Sequence, residues 1–477
     1  MSHQAPPTLL QLSIRSLLKD EALAISALND LPIELFPPLF KDAFDSKKTT
    51  VLRLMVAAWP FPCLPVGALI KTSHLETLKA VLDGLDLLMT QKVLPIRWKL
   101  QELDLRDEHH NFWNVWAGTE NSVCSPGVID KNQPMVYYPT REGKKAMTVL
   151  MNFSIKSQYP CKSLRYIYQW AKQRKDVLQV ICLKLQFWTS PAFNPLELLE
   201  ILEPGSIQEL EVCTGWDLGT LACIAPGLGQ MKNLQKLSLS KIYMPWKWHW
   251  AREMRDKCFT ELIRQFSKLH KIQHLCLDDV CFLGGCLDQV LRCFQGPLET
   301  LAITHCMLSS LDMCYLSRCP SIHQLKHLDL SGVPLSYSLL RKLPERLTAT
   351  LQTLRLENCT IVDSQISALL PVLSQCTQLT EVNFLNNFLC MDSLKKLLQD
   401  TANLRQLTRE MYPAPTEVYD ERGAVLPGRF TQCCSELMSM LMAIRQPKEA
   451  YFVSEKCKKC HEFCTYNLEA TLCSCLQ

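Results

Sequence analysis

Four cysteines close to the C-terminus carry the clearest chemical signal in the chain. Cys457-x2-Cys460 is followed, after twelve intervening residues, by Cys473-x-Cys475. Four thiolates form the donor set of a tetrahedral structural zinc site, and short-spaced pairs are how small zinc modules bring them together. The first pair has the usual spacing, whereas the second has one spacer residue where two or more are common. His461 and Cys464 stand nearby as spare donors. The competing reading is four reduced thiols packed at the end of the fold, since reduced cysteine behaves as a small hydrophobe. A thioredoxin-like role for the Cys-x-x-Cys pair needs a βαβ setting that the surrounding sequence lacks.

Other chemical constellations fail on inspection. Gly227-Leu228-Gly229 opens like a dinucleotide loop, but Lys232 stands where the third glycine belongs. Gly143-Lys144-Lys145 resembles the end of a phosphate loop, yet Tyr138 occupies the required glycine position and Lys145 the hydroxyl position. Neither H-E-x-x-H nor G-x-S-x-G occurs. His323 and His327 are four apart but are expected to straddle the start of a strand, where they share no helical face. A non-enzymatic protein is expected, with no cofactor required beyond the candidate zinc.

The bulk composition agrees with a binding protein. The 477 residues are 47% hydrophobic, and 51 basic against 47 acidic side chains leave a net charge of only +4. Such a balance gives no global field toward nucleic acid or a membrane surface. The segment Met1 to Leu9 lacks the blocks of a secretory signal, which points to a reducing setting, cytoplasm and nucleus. The 24 cysteines are then expected to be mostly free, buried thiols. Leu54 to Ile70 is long and uncharged, but Pro60, Pro62 and Pro65 break any spanning helix. Trp59-Pro60-Phe61-Pro62 therefore reads as a buried, extended connector.

A repeat must position whatever this chain binds. The pattern L-x-x-L-x-L, other aliphatics allowed, opens at Ile207, Leu234, Ile272, Leu298, Leu325, Leu351, Leu379 and, degraded, at Leu404. The steps are 27, 38, 26, 27, 26, 28 and 25 residues, all but one inside the leucine-rich-repeat range. Leu298-Leu301-Ile303-Cys306, Leu351-Leu354-Leu356-Cys359 and Leu379-Val382-Phe384-Asn387 carry the full motif, whose terminal Cys or Asn should satisfy backbone groups at a turn. Leu100-Leu103-Leu105 and Leu178-Ile181-Leu183 are weaker upstream copies. Helical periodicity follows in Ser364 to Leu373 and Ser393 to Leu398. The predicted fold class is α/β: a leucine-rich-repeat solenoid, or horseshoe, with parallel inner strands, outer helices and an N-terminal helical cap.

A concave repeat sheet suits a protein partner. Its outward positions read as Glu209, Glu211, Lys236, Ser238, His274, Asp278, Thr304, His305, His327, Asp329, Arg355, Glu357, Glu381 and Asn383, the expected target-binding surface. Leu394-x-x-Leu397-Leu398 has a coactivator-like form, but falls where a repeat helix buries its apolar face. The long step after Leu234 holds Trp246-Lys247-Trp248-His249-Trp250. These rings could stack on single strands, but the mixed charge around them favours packing on the solenoid edge. Gly118 to Pro160, rich in Gly, Pro, Asn and Lys, reads as a mobile insertion, with Arg141, Lys144 and Lys145 a weak nuclear-import signal. The expected divisions are an N-terminal region 1–95, a solenoid 96–410 interrupted near 118–160, and a C-terminal cap 411–477.

Thr8 to Ala27 reads as a helix, and Leu31-Pro32 opens a second segment ending near Phe40. This opening, with Leu35-Phe36-Pro37-Pro38-Leu39-Phe40, Ala58-Trp59-Pro60-Phe61, His74-Leu75-Glu76-Thr77 and Arg97-Trp98-Lys99-Leu100, resembles the PRAME family (preferentially expressed antigen in melanoma). Pro297-Leu298-Glu299-Thr300-Leu301, Leu330-Ser331-Gly332-Val333 and the cysteine tail extend the resemblance along nearly the whole chain. The resemblance implies a substrate receptor of a cullin-2 ubiquitin ligase joined through elongins B and C, with its target protein unidentified. Leu9, Ser13 and Leu17 resemble the elongin-binding box, and Leu31, Pro32 and Leu35 the cullin-contacting box. Ser13 departs from the Cys or Ala common there. Members are also linked to repression of transcription, proliferation, and blocked differentiation or apoptosis. The alternatives are a non-degradative transcriptional corepressor, or an inhibitor scaffold of the ribonuclease-inhibitor type.

Overall fold

The structure, a computed structural model, describes residues 8–70, 75–90, 99–108, 112–113, 147–245, 252–335 and 347–476. The tryptophan segment Trp246 to Trp250, the basic trio Arg141, Lys144 and Lys145, and residues 118–146 of the expected insertion lie outside the described residues. Two compact units are distinguished: residues 1–185 with 191–204, and residues 186–190 with 205–477.

In the first unit, helices α1 (Leu9–Leu17), α2 (Glu21–Ala27), α3 (Phe36–Asp45), α4 (Thr49–Ala57) and α5 (Leu75–Thr90) precede most of the strands. The expected single helix from Thr8 to Ala27 is two. Asp20 leaves helical geometry and caps the second, accepting the Leu23 N–H at 3.1 Å, because a short carboxylate competes with the helix for its own backbone. Aromatic rings fill the core: Phe40 lies 5.3 Å from Trp59 and 5.7 Å from Trp113. The indole of Trp59 donates to the Cys63 carbonyl, and that of Trp113 to Pro65. Gly84 lets α5 approach α4, since a Cβ there would sit 2.6 Å from the Arg53 carbonyl oxygen. Strands β1 (Cys63–Pro65), β2 (Glu102–Asp104) and β3 (Met147–Ile155) run parallel. After helix α6 (Lys162–Lys172) comes β4 (Leu178–Phe187).

Two expectations fail in this unit. Met147–Ile155, assigned to the insertion, is a nine-residue strand whose alternate side chains are buried, so the hydrophobic run outweighs the loop-like composition before it. In β4 Leu178 and Ile181 are buried as expected, but Leu183 is half-buried and the buried set also takes in Val180, Cys182, Leu185 and Phe187.

In the second unit the repeat dictates the sheet. Each of the seven clear copies places a strand two residues after its opening aliphatic: β5 (Glu209–Val212), β7 (Lys236–Tyr243), β8 (His274–Val280), β9 (Thr300–Thr304), β10 (His327–Asp329), β11 (Thr353–Arg355) and β12 (Glu381–Asn383). The two-residue β6 (Trp216–Asp217) pairs beside β7. All run parallel and in register, so Leu210, Leu237, Leu275, Leu301, Leu328, Leu354 and Val382 form one inward row. Every one of them is buried.

Helices α7 (Leu218–Leu228), α8 (Arg252–Phe266), α9 (Leu287–Arg292), α10 (Ser310–Leu316) and α11 (Asp363–Leu373) lie between these strands in sequence, and α12 (Met391–Asp400) and α13 (Pro427–Ile444) follow them. In α12, Leu394, Leu397 and Leu398 are fully buried, so the L-x-x-L-L sequence is core. A left-handed residue recurs at a fixed phase: Lys241 and Asp279 within the long strands β7 and β8, and His305, Gly332, Asn358 and Asn386 just after the shorter ones, each five residues past its strand's first residue. Gly, Asn and Asp tolerate that conformation best. Gly332 is needed twice over, because a Cβ there would meet the His305 ring at 2.4 Å. The motif's terminal residues do bind the turns. Asn387 Oδ1 accepts the N–H groups of Cys359 and Ile361, its Nδ2 donates to the Leu356 and Phe384 carbonyls, and Cys359 Sγ donates to Leu330 O.

The eighth repeat departs from expectation. It opens at Leu407, three residues after Leu404, and gives β13 (Arg409–Pro413); a ninth parallel strand, β14 (Glu449–Val453), lies in the region expected to be a cap. The pattern is masked because Glu410 occupies the inward row between Val382 and Ala450. It is 0% exposed and answered by Arg445 across 2.6 Å, itself nearly buried. Tyr412 donates to the same carboxylate at 2.6 Å, and Arg445 donates to the Thr401 carbonyl at 2.8 Å. Burial and the Glu410 charge hold the Tyr412 hydroxyl well above the usual phenol range, so it stays a donor.

Removing one partner of a buried ion pair strands the other charge. Arg445→Met should therefore lower unfolding free energy by about 3–5 kcal/mol in a denaturant titration. Glu410→Leu combined with Arg445→Met should recover most of that loss. A double variant as unstable as the single one would count against an electrostatic origin.

Candidate functional site

The outward side chains of the second unit form two registered rows. One runs Glu209, Lys236, His274, Thr300, His327, Thr353, Glu381, Arg409, Glu449. The next runs Glu211, Ser238, Cys276, Ala302, Asp329, Arg355, Asn383, Met411, Tyr451. A parallel sheet in strict register makes neighbours of residues about 27 positions apart, and charge pairs follow.

The charged flanks of this face are internally paired. Lys236 Nζ lies 2.7 Å from Glu211 and 3.9 Å from Glu209. At the other side Arg355 contacts Glu381 at 2.7 Å, and Arg409 reaches Glu449 at 2.9 Å and Glu381 at 3.7 Å. Asp278 accepts from Thr304 at 2.7 Å and meets His305 Nδ1 at 2.9 Å. Asn383, expected to face a target, is buried. Its Nδ2 donates to Glu357 at 3.0 Å and its Oδ1 accepts the Leu385 N–H at 2.9 Å, so the amide is used within the fold. The remaining predicted surface residues are half-buried or exposed on the sheet face and its turns.

Between the flanks, the first row passes through His274, Thr300, His327 and Thr353 without carboxylate, lysine or arginine, while the second passes through Cys276 and Ala302 to Asp329. His274 Nδ1 meets Thr300 Oγ1 at 2.9 Å and, two strands on, His327 Nδ1 meets Thr353 Oγ1 at 3.0 Å. A hollow of about 330 Å³ opens at the edge of this stretch, lined by Gln208, Glu209, Gln235, Lys236, His274, Cys276 and Thr300. Sequence reasoning missed Cys276, Thr300, Ala302 and Thr353, although each stands at an alternate position of its strand.

In the first unit, helix α1 begins with a capping box in which Thr8 and Gln11 exchange hydrogen bonds. Leu9 is 81% exposed and Leu12 49%, whereas Ile14 and Leu18 are buried. Ser13 is exposed and its hydroxyl donates to Leu9 O at 2.9 Å; Leu17 is half-buried. Downstream, Pro32 is exposed, while Leu31 and Leu35 are half-buried.

At the C-terminus the Sγ atoms of Cys457, Cys460 and Cys473 lie within 4.8 Å of one another. Cys475 lies outside that three-sulfur group but close enough to Cys460 and Cys457 for them to raise its thiol pKa. His461 is not in this group, and Cys464 is buried behind it, its sulfur accepting the Cys473 N–H.

Burial, followed by the charges of His274 and Lys326, lowers the pKa of His327 below its usual value of about 6.5. A histidine whose folded pKa is depressed takes up its proton more readily when unfolded. Its contribution to stability is therefore complete above the unfolded pKa and is lost as pH falls through the folded one. An NMR titration of the His327 ring should give a midpoint under 6.5, and a value at or above it would contradict this account.

Comparison with known proteins places this geometry. Residues 6–113 match the PRAME N-terminal domain and residues 147–475 the PRAME C-terminal domain. The chain is 46% identical over 476 residues to human PRAME family member 12, covering 99% of this chain and 98% of that protein. Human PRAME family members 8 and 20 are each 43% identical, over the full length of both chains. With both domains matched and full-length relatives at this identity, the chain belongs to the PRAME family.

Proposed function

We propose that this protein is a substrate adaptor of a cullin-2 ubiquitin ligase. The sheet face of its repeats holds a target protein, and helix α1 holds elongin C with elongin B. It would act by binding alone, without bond chemistry of its own. The observation that carries the reading is the uncovered leucine on α1. A side chain exposed as far as Leu9 gives up about 1.5–3 kcal/mol that burial would supply, which a partner's apolar groove can recover.

Leu9, Ser13 and Leu17 follow one another at four-residue intervals and so share one helix face. The hydroxyl of Ser13, bonded back to Leu9 O, needs no partner from outside, and its small size suits close approach at the centre of the contact. Leu31, Pro32 and Leu35 would meet the cullin. Docking a target over the row His274, Thr300, His327 and Thr353 costs less desolvation than docking over the ion pairs on either side. Carrying both binding surfaces on one chain raises the effective concentration of the target at the ligase.

Elongin C should be recovered with the wild-type chain, and with Leu9→Asp its recovery should fall at least tenfold while the melting curve is unchanged. Equal recovery would instead favour a corepressor or an inhibitor scaffold acting through the sheet face alone. Ala302→Arg plants a long side chain beside the row His274, Thr300 and His327, and should abolish ubiquitination of a captured target without reducing elongin recovery. Unchanged target modification would move the target site elsewhere.

A further inference from the structure

We infer that Cys457, Cys460, Cys473 and Cys475 bind one zinc ion that locks the C-terminal end of the repeat sheet. The cysteines come from two separate turns. Cys457 and Cys460 frame a turn in which the Cys457 N–H donates to Glu462 O, the His461 N–H returns to Cys457 O, and His461 takes a positive φ. Cys473 and Cys475 frame the second, closed by the Leu476 N–H on Cys473 O. The Glu462 carboxylate accepts the Ser474 N–H at 2.7 Å and so ties one turn to the other.

Three sulfurs within 4.8 Å of one another are spaced as ligands around a common centre, and the exposed Cys475, near Cys457 and Cys460, would turn in as the fourth. Tetrahedral zinc–thiolate bonds of about 2.3 Å place sulfurs a little under 4 Å apart, so only small side-chain adjustments are needed. Binding would release the thiol protons to solvent, and the four thiolates with zinc would carry a net charge of −2. Lys456, Lys458 and Lys459 surround the first turn and offset that charge. The single spacer of the second pair, an oddity in sequence, is accommodated because Leu476 closes its own turn.

The location gives the metal a task. Strand β14 ends the parallel series, and its free edge is taken by the antiparallel hairpin β15 (Thr465–Asn467) and β16 (Glu469–Thr471), turning at Leu468 with φ of +67°. One cysteine pair immediately precedes that hairpin and the other immediately follows it. Zinc would therefore close the base of the hairpin that covers an otherwise open strand edge, which protects the sheet against edge-to-edge association.

The test uses the full chain purified under reducing conditions without added chelator. Elemental analysis should return about one zinc per chain. Replacement by cobalt should produce the sulfur-to-metal charge-transfer and tetrahedral d–d bands of a thiolate site. Cys475→Ser, at an exposed position, should keep the fold but lose zinc to a chelator at least tenfold faster, and Cys457→Ser with Cys460→Ser should contain none. Cys314→Ser, an exposed cysteine elsewhere, should retain the full complement. A folded wild-type chain free of zinc, with these four sulfurs titrating as thiols or found as disulfides, would overturn the assignment. So would a Cys475→Ser protein that releases zinc at the wild-type rate.

Discussion

Register is the constraint on which the second unit depends. A single repeat cannot bury both the inward side chains of its strand and the apolar face of its helix, so each unit is completed by the next. The row from Leu210 through Leu237, Leu275, Leu301, Leu328, Leu354 and Val382 is the physical record of that dependence. A slip of one residue would turn every aliphatic outward at once. The turns hold the same phase, with a left-handed residue at a constant offset and Cys or Asn side chains taking up the backbone groups that the bend leaves over. Asp312 shows the brace in another form. It accepts from Ser309 in its own capping box and from the Gly285 and Leu287 N–H groups of the preceding repeat, and these bonds outweigh burial and hold its carboxyl below the usual range.

Because the inward rows are locked, the outward rows are equally ordered, and the outer face of the sheet inherits its pattern from the core. Opposite charges on adjacent strands meet at the two flanks, where each ion pair reduces the charge offered to a partner. The interval between them carries histidine, threonine, cysteine and alanine, with Asp329 at its edge. The geometry favours recognition by shape and a few anchors over recognition by a field, in keeping with a chain whose total charge is nearly balanced.

The ends of the sequence solve different problems. At the C-terminus an exposed strand edge would invite association, and a short hairpin with cysteines at its base covers it. At the N-terminus the opposite choice is made. Helix α1 buries Ile14 and Leu18 and leaves Leu9 and Leu12 uncovered, an arrangement that costs solubility unless something binds there. Among the described residues no helix is long and apolar enough to cross a membrane.

The amino-acid sequence alone determined the repeat phase, the parallel strands two residues past each aliphatic start, the burial of Leu394, Leu397 and Leu398, and the turn-binding role of Cys359 and Asn387. These follow from local spacing, because an aliphatic period specifies which face is inside wherever every inward residue is apolar. Tertiary structure decided the rest. Glu410 hid the eighth repeat because a carboxylate can stand in the core only when Arg445, 35 residues later, folds back onto it. The ninth strand was obscured in turn, for β14 is recognisable only by its pairing with β13. Asn383 looked outward by alternation and is buried because Glu357 of the neighbouring repeat claims its amide. The convergence of Cys457, Cys460 and Cys473, as against His461 or Cys464, is set by a hairpin turn at Leu468 and the Glu462 bridge. A contact between residues distant in the chain has no period to announce it, and its energy exists only once both strands are in place.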